Sequence, residues 1–434
     1  MMLNTKIRVL LITCLPLLAV GQQTRVVGSD TLIRDVSQKE VVPVLTLPGI
    51  LKAIDQNNLQ LQSYGLRAQG YKYSAEAATA WMPPMVGAGT YMTPYPFQKV
   101  MEDRDKGSMM LRLEQDIPNR SKLQARKRYI ESQGTVELAN RAVTLNDLKA
   151  QAKRLYFNWL VAEQRIKVLQ QNERIMTTMK KIEEVRYPYN QSQLGNIYKL
   201  ESRIEENRNM IRMQEGEIGR SRAVLNGLMN RSGSEPFTID TTSSPSFNPT
   251  LHDTTLLANT RGDVLRMNES IRNMQLNIES MQQERKPDFR IQFDHMSPFT
   301  AMMPKAFSVM GMVSIPIAPW ASKMYKSEVN AMQYNVQAME RERAAMLQET
   351  QGMLYGMQAE IQSMQKRIRG LETTVIPAMQ KSLDANFLNY QENKQQVPVV
   401  IDAWEALNML QMDLLDEKLK LYQMIVDYEK ELYR

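Results

Sequence analysis

One cysteine and two histidines serve 434 residues, and these scarcities exclude more than any motif admits. Cys14 lies inside an apolar run, Val9 to Val20, behind Lys6 and Arg8. That arrangement is a secretory signal, too short to span a bilayer. Ala19-Val20-Gly21 places small residues where a signal peptidase reads, so cleavage is expected before Gln22. The alternative, a lipidated Cys14, lacks the usual small residue at Thr13, and the apolar run continues past it. Without Cys14 the chain has no disulfide, thiolate nucleophile or cysteine metal ligand. With only His252 and His295 in the chain, histidine catalysis and a zinc site are disfavoured. There is no Gly-rich phosphate loop, G-x-S-x-G or H-E-x-x-H, so an enzyme is not expected and no cofactor is implied. Beyond the signal no run of 18 apolar residues exists, so no transmembrane helix is expected. An exported chain of this kind can enter a membrane only as a β-barrel.

Charge of one sign is also scarce. The net charge is +7, but bases alternate with acids, as in Arg203-Ile-Glu-Glu-Asn-Arg208 and Glu340-Arg-Glu-Arg343. That is the pattern of solvated helix faces with i,i+4 pairs, not of a phosphate-binding patch. Nucleic acid is not an expected partner.

What is present is a repeat. Tyr187-Pro-Tyr-Asn190-Gln-Ser-Gln193 returns 203 positions later as Tyr390-Gln-Glu-Asn393-Lys-Gln-Gln396. Pro84 returns at Pro287 with the same offset, and Ile117-Pro118 returns as Ile315-Pro316 at an offset of 198. Array repeats have periods of about 20–50 residues; a period near 200 means two copies of an architectural half. The expected layout is a signal at 1–21, an extended lead at 22–45 and a first repeat at 46–230. A Ser/Thr/Pro-rich linker follows at 231–255, then a second repeat at 256–434.

Each repeat pairs long helices with a short hairpin. In the first, Leu47 to Ala80 reads as one helix stopped by Trp81-Met-Pro-Pro. Strands are expected at about 85–97 and 108–117, and in the second copy at about 289–299 and 307–317. Strands of about ten residues have the length to cross a membrane in a tilted barrel. Residues 119–186 and 320–388 read as long helices, the latter bent near Pro377. Its seam runs Met332, Val336, Met339, Arg343, Met346, Thr350, Met353, Met357, Ile361, Met364, Ile368, Leu371, Val375, with one slip at 357–361. Each long helix meets a Tyr-x-x-Asn turn and returns as a shorter one, 194–229 and 399–433. Asn tolerates the left-handed conformation that such turns need.

This arrangement resembles the TolC family of outer-membrane efflux proteins over about residues 46–434. The resemblance rests on Leu45-Thr-Leu-Pro-Gly-Ile-Leu-Lys-Ala-Ile-Asp-Gln-Asn-Asn58 as the first-helix opening and on the Ile-Pro junctions at Pro118 and Pro316. It rests also on the two tip turns, where Asn190 and Asn393 stand in place of the usual Gly. It implies a mainly α fold with a small β part: long antiparallel coiled-coil helices in a periplasmic α-barrel, and four strands per chain in a trimeric 12-stranded transmembrane β-barrel. It implies a passive outer-membrane exit duct set in outer-membrane lipids, served by an inner-membrane transporter through a periplasmic adaptor. The adaptor would meet the tip at Tyr187, Asn190, Gln193, Gly195, Tyr390, Asn393, Lys394 and Gln396. In Val399-Val-Ile-Asp402-Ala-Trp404, Asp402 stands at one of two acidic gate positions of the family and Val399 at the other.

Methionine is abundant, 32 residues. One reading is a thioether path, which suits Cu(I) or Ag(I) and makes a heavy-metal duct of the same family the alternative cargo. The other is that Met forms helices well and fills gaps, which already accounts for the seam. Met302, Met303, Met310 and Met312, in or beside the second hairpin, are the candidates that packing explains least. A rival from another class is a soluble periplasmic coiled-coil adaptor or chaperone. It would share the signal and the helices but has no need of duplicated hairpins.

Overall fold

The computed structural model describes residues 42–249, 253–316 and 319–433. The expected signal, most of the lead, His252 and Ile317 lie outside the described residues. The elements run β1 (Val44–Leu45), α1 (Leu47–Asn57), α2 (Leu59–Ala77), β2 (Met85–Tyr91), β3 (Ser108–Ile117), α3 (Arg120–Arg186) and α4 (Leu194–Leu228). They continue through β4 (Thr238–Ile239), α5 (Thr254–Thr260), α6 (Gly262–Gln283), β5 (Asp288–Pro298) and β6 (Ala306–Ser314). Last come α7 (Pro319–Gly370), α8 (Ile376–Gln391) and α9 (Val397–Glu431). The fold is mainly α with a small β part, as expected. The order helix, hairpin, long helix, turn, returning helix occurs twice.

The boundaries correct the sequence reading at several points. The first helix is two, because Asn58 leaves helical geometry at φ −67°, ψ 121°. Its Oδ1 accepts from the backbone of Gln60 and Leu61, and its Nδ2 donates to Leu228 O at 3.0 Å. That cap, worth about 1 kcal/mol, also ties the break to the end of α4. The first strand stops at Tyr91, not at 97. Met92 turns left-handed at φ 52°, and Pro94 and Pro96 cannot donate to a ladder. The last strand ends at Ser314, before Pro316. The second repeat, whose opening segment at about 256–285 reads as one helix in the sequence, likewise opens on two, α5 and α6, parted at Arg261.

The long helix of the second half also differs in register. Leu354, not Met353, is buried, so the seam runs Thr350, Leu354, Met357, Ile361, Met364, Ile368 in unbroken steps of four and three. The expected slip is absent. Between α7 and α8 lies one π turn, Leu371–Val375, which inserts a residue into the helical repeat. The apolar stripe therefore resumes at Ile376, Met379, Leu383, Phe387 and Tyr390, and Val375 is exposed. The π turn directly precedes Pro377, whose missing N–H an α-helix would leave as a gap.

At 1.5 Å per residue the 67-residue α3 is about 100 Å long. Two apolar clusters hold it along that length. Around its middle Tyr156, Phe157, Trp159 and Leu160 pack with Ile50 and Ile54 of α1, Leu225 of α4, Phe237, Ile239 of β4 and Val426 of α9. Tyr156 donates to Asp240 O at 2.5 Å, and burial pushes its phenol up to about 12. Nearer its end Met176 and Met179 meet Leu200 and Ile204 of α4, Leu383 of α8 and Val400, Ile401 and Trp404 of α9. Asn172 lies inside that contact, donating to Asn408 at 2.8 Å and accepting from Trp404 Nε1 at 3.2 Å. A buried, satisfied polar group of this kind fixes the register of α3 against α9.

The strands form one antiparallel sheet in the order β2-β3-β5-β6, while β1 and β4 pair in parallel elsewhere. The two hairpins are thus joined through β3 and β5, from Ser108 opposite Pro298 to Ile117 opposite Phe289. Asn119 seals the junction below them. It caps α3 by accepting from Ser121 N at 3.0 Å, and its Nδ2 donates to Pro287 O at 3.3 Å.

Candidate pore sheet and helical tip

Two places carry chemistry that packing does not consume: the four-stranded sheet, and the end of the helices where the repeated turns meet. Directly opposed strand residues share a face, so the register divides the sheet without further assumption. One face holds Val86 and Ala88 of β2, Leu111, Leu113 and Ile117 of β3, Phe289, Ile291 and Phe293 of β5, and Phe307, Val309 and Val313 of β6. Most of these large apolar side chains are exposed, and Phe293 stacks on Phe307 with ring centroids 6.0 Å apart. The other face holds Arg112, Glu114, Asp116, Asp288, Arg290, Gln292 and Asp294. There Arg112 Nε bonds Asp294 at 2.8 Å, and Arg290 bonds both Glu114 and Asp116 at 2.6 Å. Lys122 at the head of α3 reaches Asp288 at 2.6 Å. A sheet this polarised has one face suited to hydrocarbon and one to water. Its outer strands, β2 and β6, each leave an edge unpaired among the described residues. Among the described residues no helix is long and apolar enough to cross a membrane.

Of the methionine candidates, Met310 and Met312 lie on the charged face, opposite Gln292 and Arg290. Met302 and Met303 lie beyond the end of β5, exposed in the connection to β6. The sequence candidates therefore belong to two places rather than one cluster. Among the described residues no group of three or more His, Cys, Asp or Glu is arranged to hold a metal ion.

At the other end the 203-residue repeat is a repeat of geometry. Asn190 and Asn393 are left-handed at φ 56° and 58°. Gln191 N donates to Arg186 O at 3.2 Å, and Lys394 N donates to Asn389 O at 2.9 Å. Both are the long backbone bond that closes a helix end around a left-handed residue. The side chains of the two turns part company. Tyr187 and Tyr189 are exposed, whereas Tyr390 is only 1 % exposed. The expectation that Tyr390 presents itself at the tip surface is thereby corrected. Tyr390 OH donates to Glu183 Oε1 at 2.5 Å, while Glu183 Oε2 accepts from Ser192 at 2.5 Å and Asn196 at 3.3 Å. The Arg186 guanidinium stands 4.6 Å from the Tyr390 ring centroid and donates to Tyr390 O and Gln391 O. Burial, and then the bond to the Glu183 carboxylate, raise the Tyr390 phenol well above its ordinary range.

This clasp joins the first repeat to the second beside a cleft of about 890 Å³. Asn190, Gln193, Asn393, Lys394, Gln396 and Val399 line the cleft together with Glu183 and Arg186. Gly195 is exposed at the start of α4, and Asp402 is exposed one turn into α9, neither of them among the cleft's lining residues. Lys394 is paired with Glu392 at 2.5 Å. Sequence reasoning missed Glu183 and Arg186. Glu183 reads as one more acid in a charged helix, and only its offset from the Tyr-x-x-Asn turn would have marked it.

No protein-family model matches the sequence, and no curated protein sequence is significantly similar to it. Solved structures do match. A membrane protein from Pseudomonas aeruginosa superposes with a TM-score of 0.72 at 12% identity, over 90% of this chain and 91% of that one. CusC, a structure described in terms of transmembrane channel formation, gives 0.71 at 15% identity, over 89% and 91%. The outer-membrane protein VceC from Vibrio cholerae gives 0.67 at 14% identity, over 89% and 95%. At these identities the likeness establishes the fold, which is that of the TolC-type outer-membrane channels over nearly the whole length of each chain.

Proposed function

We propose that the chain is one of three subunits of an outer-membrane exit duct, a passive conduit in a tripartite efflux system. The observation that carries this is the four-stranded sheet. Four strands cannot close a barrel, and two open edges in lipid leave backbone groups without partners at several kcal/mol each. Three copies pairing β6 to β2 give a closed barrel of 12 strands, with the apolar face toward lipid and the ion-paired face toward water. The soluble adaptor or chaperone is the weaker reading, because a soluble protein would leave the apolar face of this sheet in water.

The helices would then form a periplasmic tunnel ending at the repeated turns. Asn190, Gln193, Gly195, Asn393, Lys394 and Gln396 are the proposed contacts for a periplasmic adaptor, which delivers cargo from an inner-membrane transporter. The Glu183–Tyr390 clasp would hold the tip closed, and Asp402 would line the mouth with Val399. Membrane fractionation tests the reading: the protein belongs in the outer-membrane fraction, and recovery in the soluble fraction would overturn it. Lys394→Glu reverses a charge at the tip without touching a buried residue. It should impair export while leaving the amount of inserted protein unchanged, and full export would remove Lys394 from the contact.

A further inference from the structure

Five of the six methionines in the sheet lie on its charged face: Met85, Met110, Met296, Met310 and Met312, against Met109 alone on the apolar face. Hydrophobicity alone predicts the reverse, since a thioether side chain gains by facing hydrocarbon and a barrel interior is ordinarily polar. Packing in a dry apolar core does not account for them either, because Met110, Met296 and Met312 are half-buried among ion-paired side chains and Met85 and Met310 are exposed. Two of the five are directly opposed, Met110 on β3 and Met296 on β5. Residues so paired have their Cα atoms about 4.5–5.5 Å apart, close enough for two sulfurs to take one ion between them. Their outer neighbours in the same row are Gly89 and Ala306, too small to shield the sulfurs. The next row holds Arg112 and Asp294. The Arg112 guanidinium lies 3.9 Å from Met110 Sδ, and its charge is matched by Asp294 at 2.8 Å.

We propose that Met110 and Met296 form a two-thioether site for a soft monovalent cation, Cu(I) or Ag(I), on the water-facing wall of the barrel. Paired thioethers select such ions over Na⁺, K⁺ and Mg²⁺, whose preferred ligands are oxygens. The inference rests on the duct reading, and three copies of the chain place three such sites at one level of the pore. Low-micromolar Ag(I) held there adds positive charge to a narrow passage and reduces cation current.

The test uses the full-length protein in planar bilayers with potassium nitrate as electrolyte and Ag(I) as probe. Ag(I) should block the potassium current reversibly. The double variant M110L/M296L, which conserves volume and leaves both ion pairs in place, should need at least about tenfold more Ag(I) for the same block (about 1.4 kcal/mol). Met109→Leu, one residue away on the apolar face, should behave as the parent. A protein that forms no channel overturns the duct reading and this site with it. A conducting channel that Ag(I) does not block, or blocks equally in the double variant, overturns the site alone.

Discussion

Replacing Tyr390 by Phe removes one hydroxyl from the clasp between the two repeats and leaves its ring in place. The ring keeps the Arg186 guanidinium at 4.6 Å and Phe387 at 6.3 Å between centroids. What is lost is the 2.5 Å bond to Glu183, a carboxylate that is itself only 1 % exposed. A hydrogen bond to a charged group contributes about 1.5–3 kcal/mol, and a buried carboxylate that loses a donor bears part of its desolvation unrelieved. Taking about 2 kcal/mol, each chain's tip shifts toward the open arrangement by about 30-fold. In the proposed trimer, three chains around one mouth would compound the effect where all three clasps must release. The assay is single-channel recording, in which Tyr390→Phe should spend far more time at high conductance than the parent. Glu183→Gln keeps a neutral bond and should lie between the two. Tyr189→Phe is the control, since Tyr189 is 73 % exposed. Unchanged gating in Tyr390→Phe, or an equal change in Tyr189→Phe, would refute the clasp.

The same group sets a pH dependence. Its raised phenol pKa means that the clasp's contribution is complete below the free tyrosine value of about 10 and is lost as pH rises above it; tip opening measured by conductance should be flat from neutrality to about pH 9, then rise, and Tyr390→Phe should lack the alkaline rise. Asp402→Ala should reduce the ratio of cation to anion permeability measured by reversal potential, because three carboxylates around the mouth of the proposed trimer would attract cations, and an unchanged ratio would leave Asp402 a solvated residue of α9. Gly262→Ala should destabilise the protein by about 1–3 kcal/mol in thermal unfolding, because a Cβ there stands 2.6 Å from the Tyr433 ring. Gly216→Ala, where a Cβ meets nothing within 4 Å, is its control.

The architecture was legible because it is written twice and in strong signals. Pro84, Pro118, Pro287 and Pro316 punctuate the hairpins, and Asn190 and Asn393 sit where left-handed turns require them. Boundaries failed where a tertiary partner decided them. Asn58 breaks a helix because it can bond Leu228 O, 170 residues away, and no local pattern contains that partner. The seam of α7 was misplaced by one residue because Met353 and Leu354 are both apolar, and only packing against α9 chooses between them. The π turn at Leu371–Val375 was invisible for a related reason: it changes the period of burial without changing composition.

The candidate site was legible in part. The turns were found from their repeat, but Tyr187 and Tyr390, alike in sequence, differ in burial because only Tyr390 meets a carboxylate from the other half. The division of the sheet into an apolar and an ion-paired face could not be read from strands considered singly. It appears when β3 is set against β5, which brings Arg112 to Asp294 across 182 positions of sequence.

The central claim is that this four-stranded sheet is a third of a transmembrane barrel, and the mass of the detergent-solubilised protein tests it most directly. Native mass spectrometry of the species extracted from the outer membrane should give about three times the mass of one chain, in a form that conducts when reconstituted in a bilayer. A monodisperse monomer, soluble without detergent and silent in the bilayer, would contradict the account.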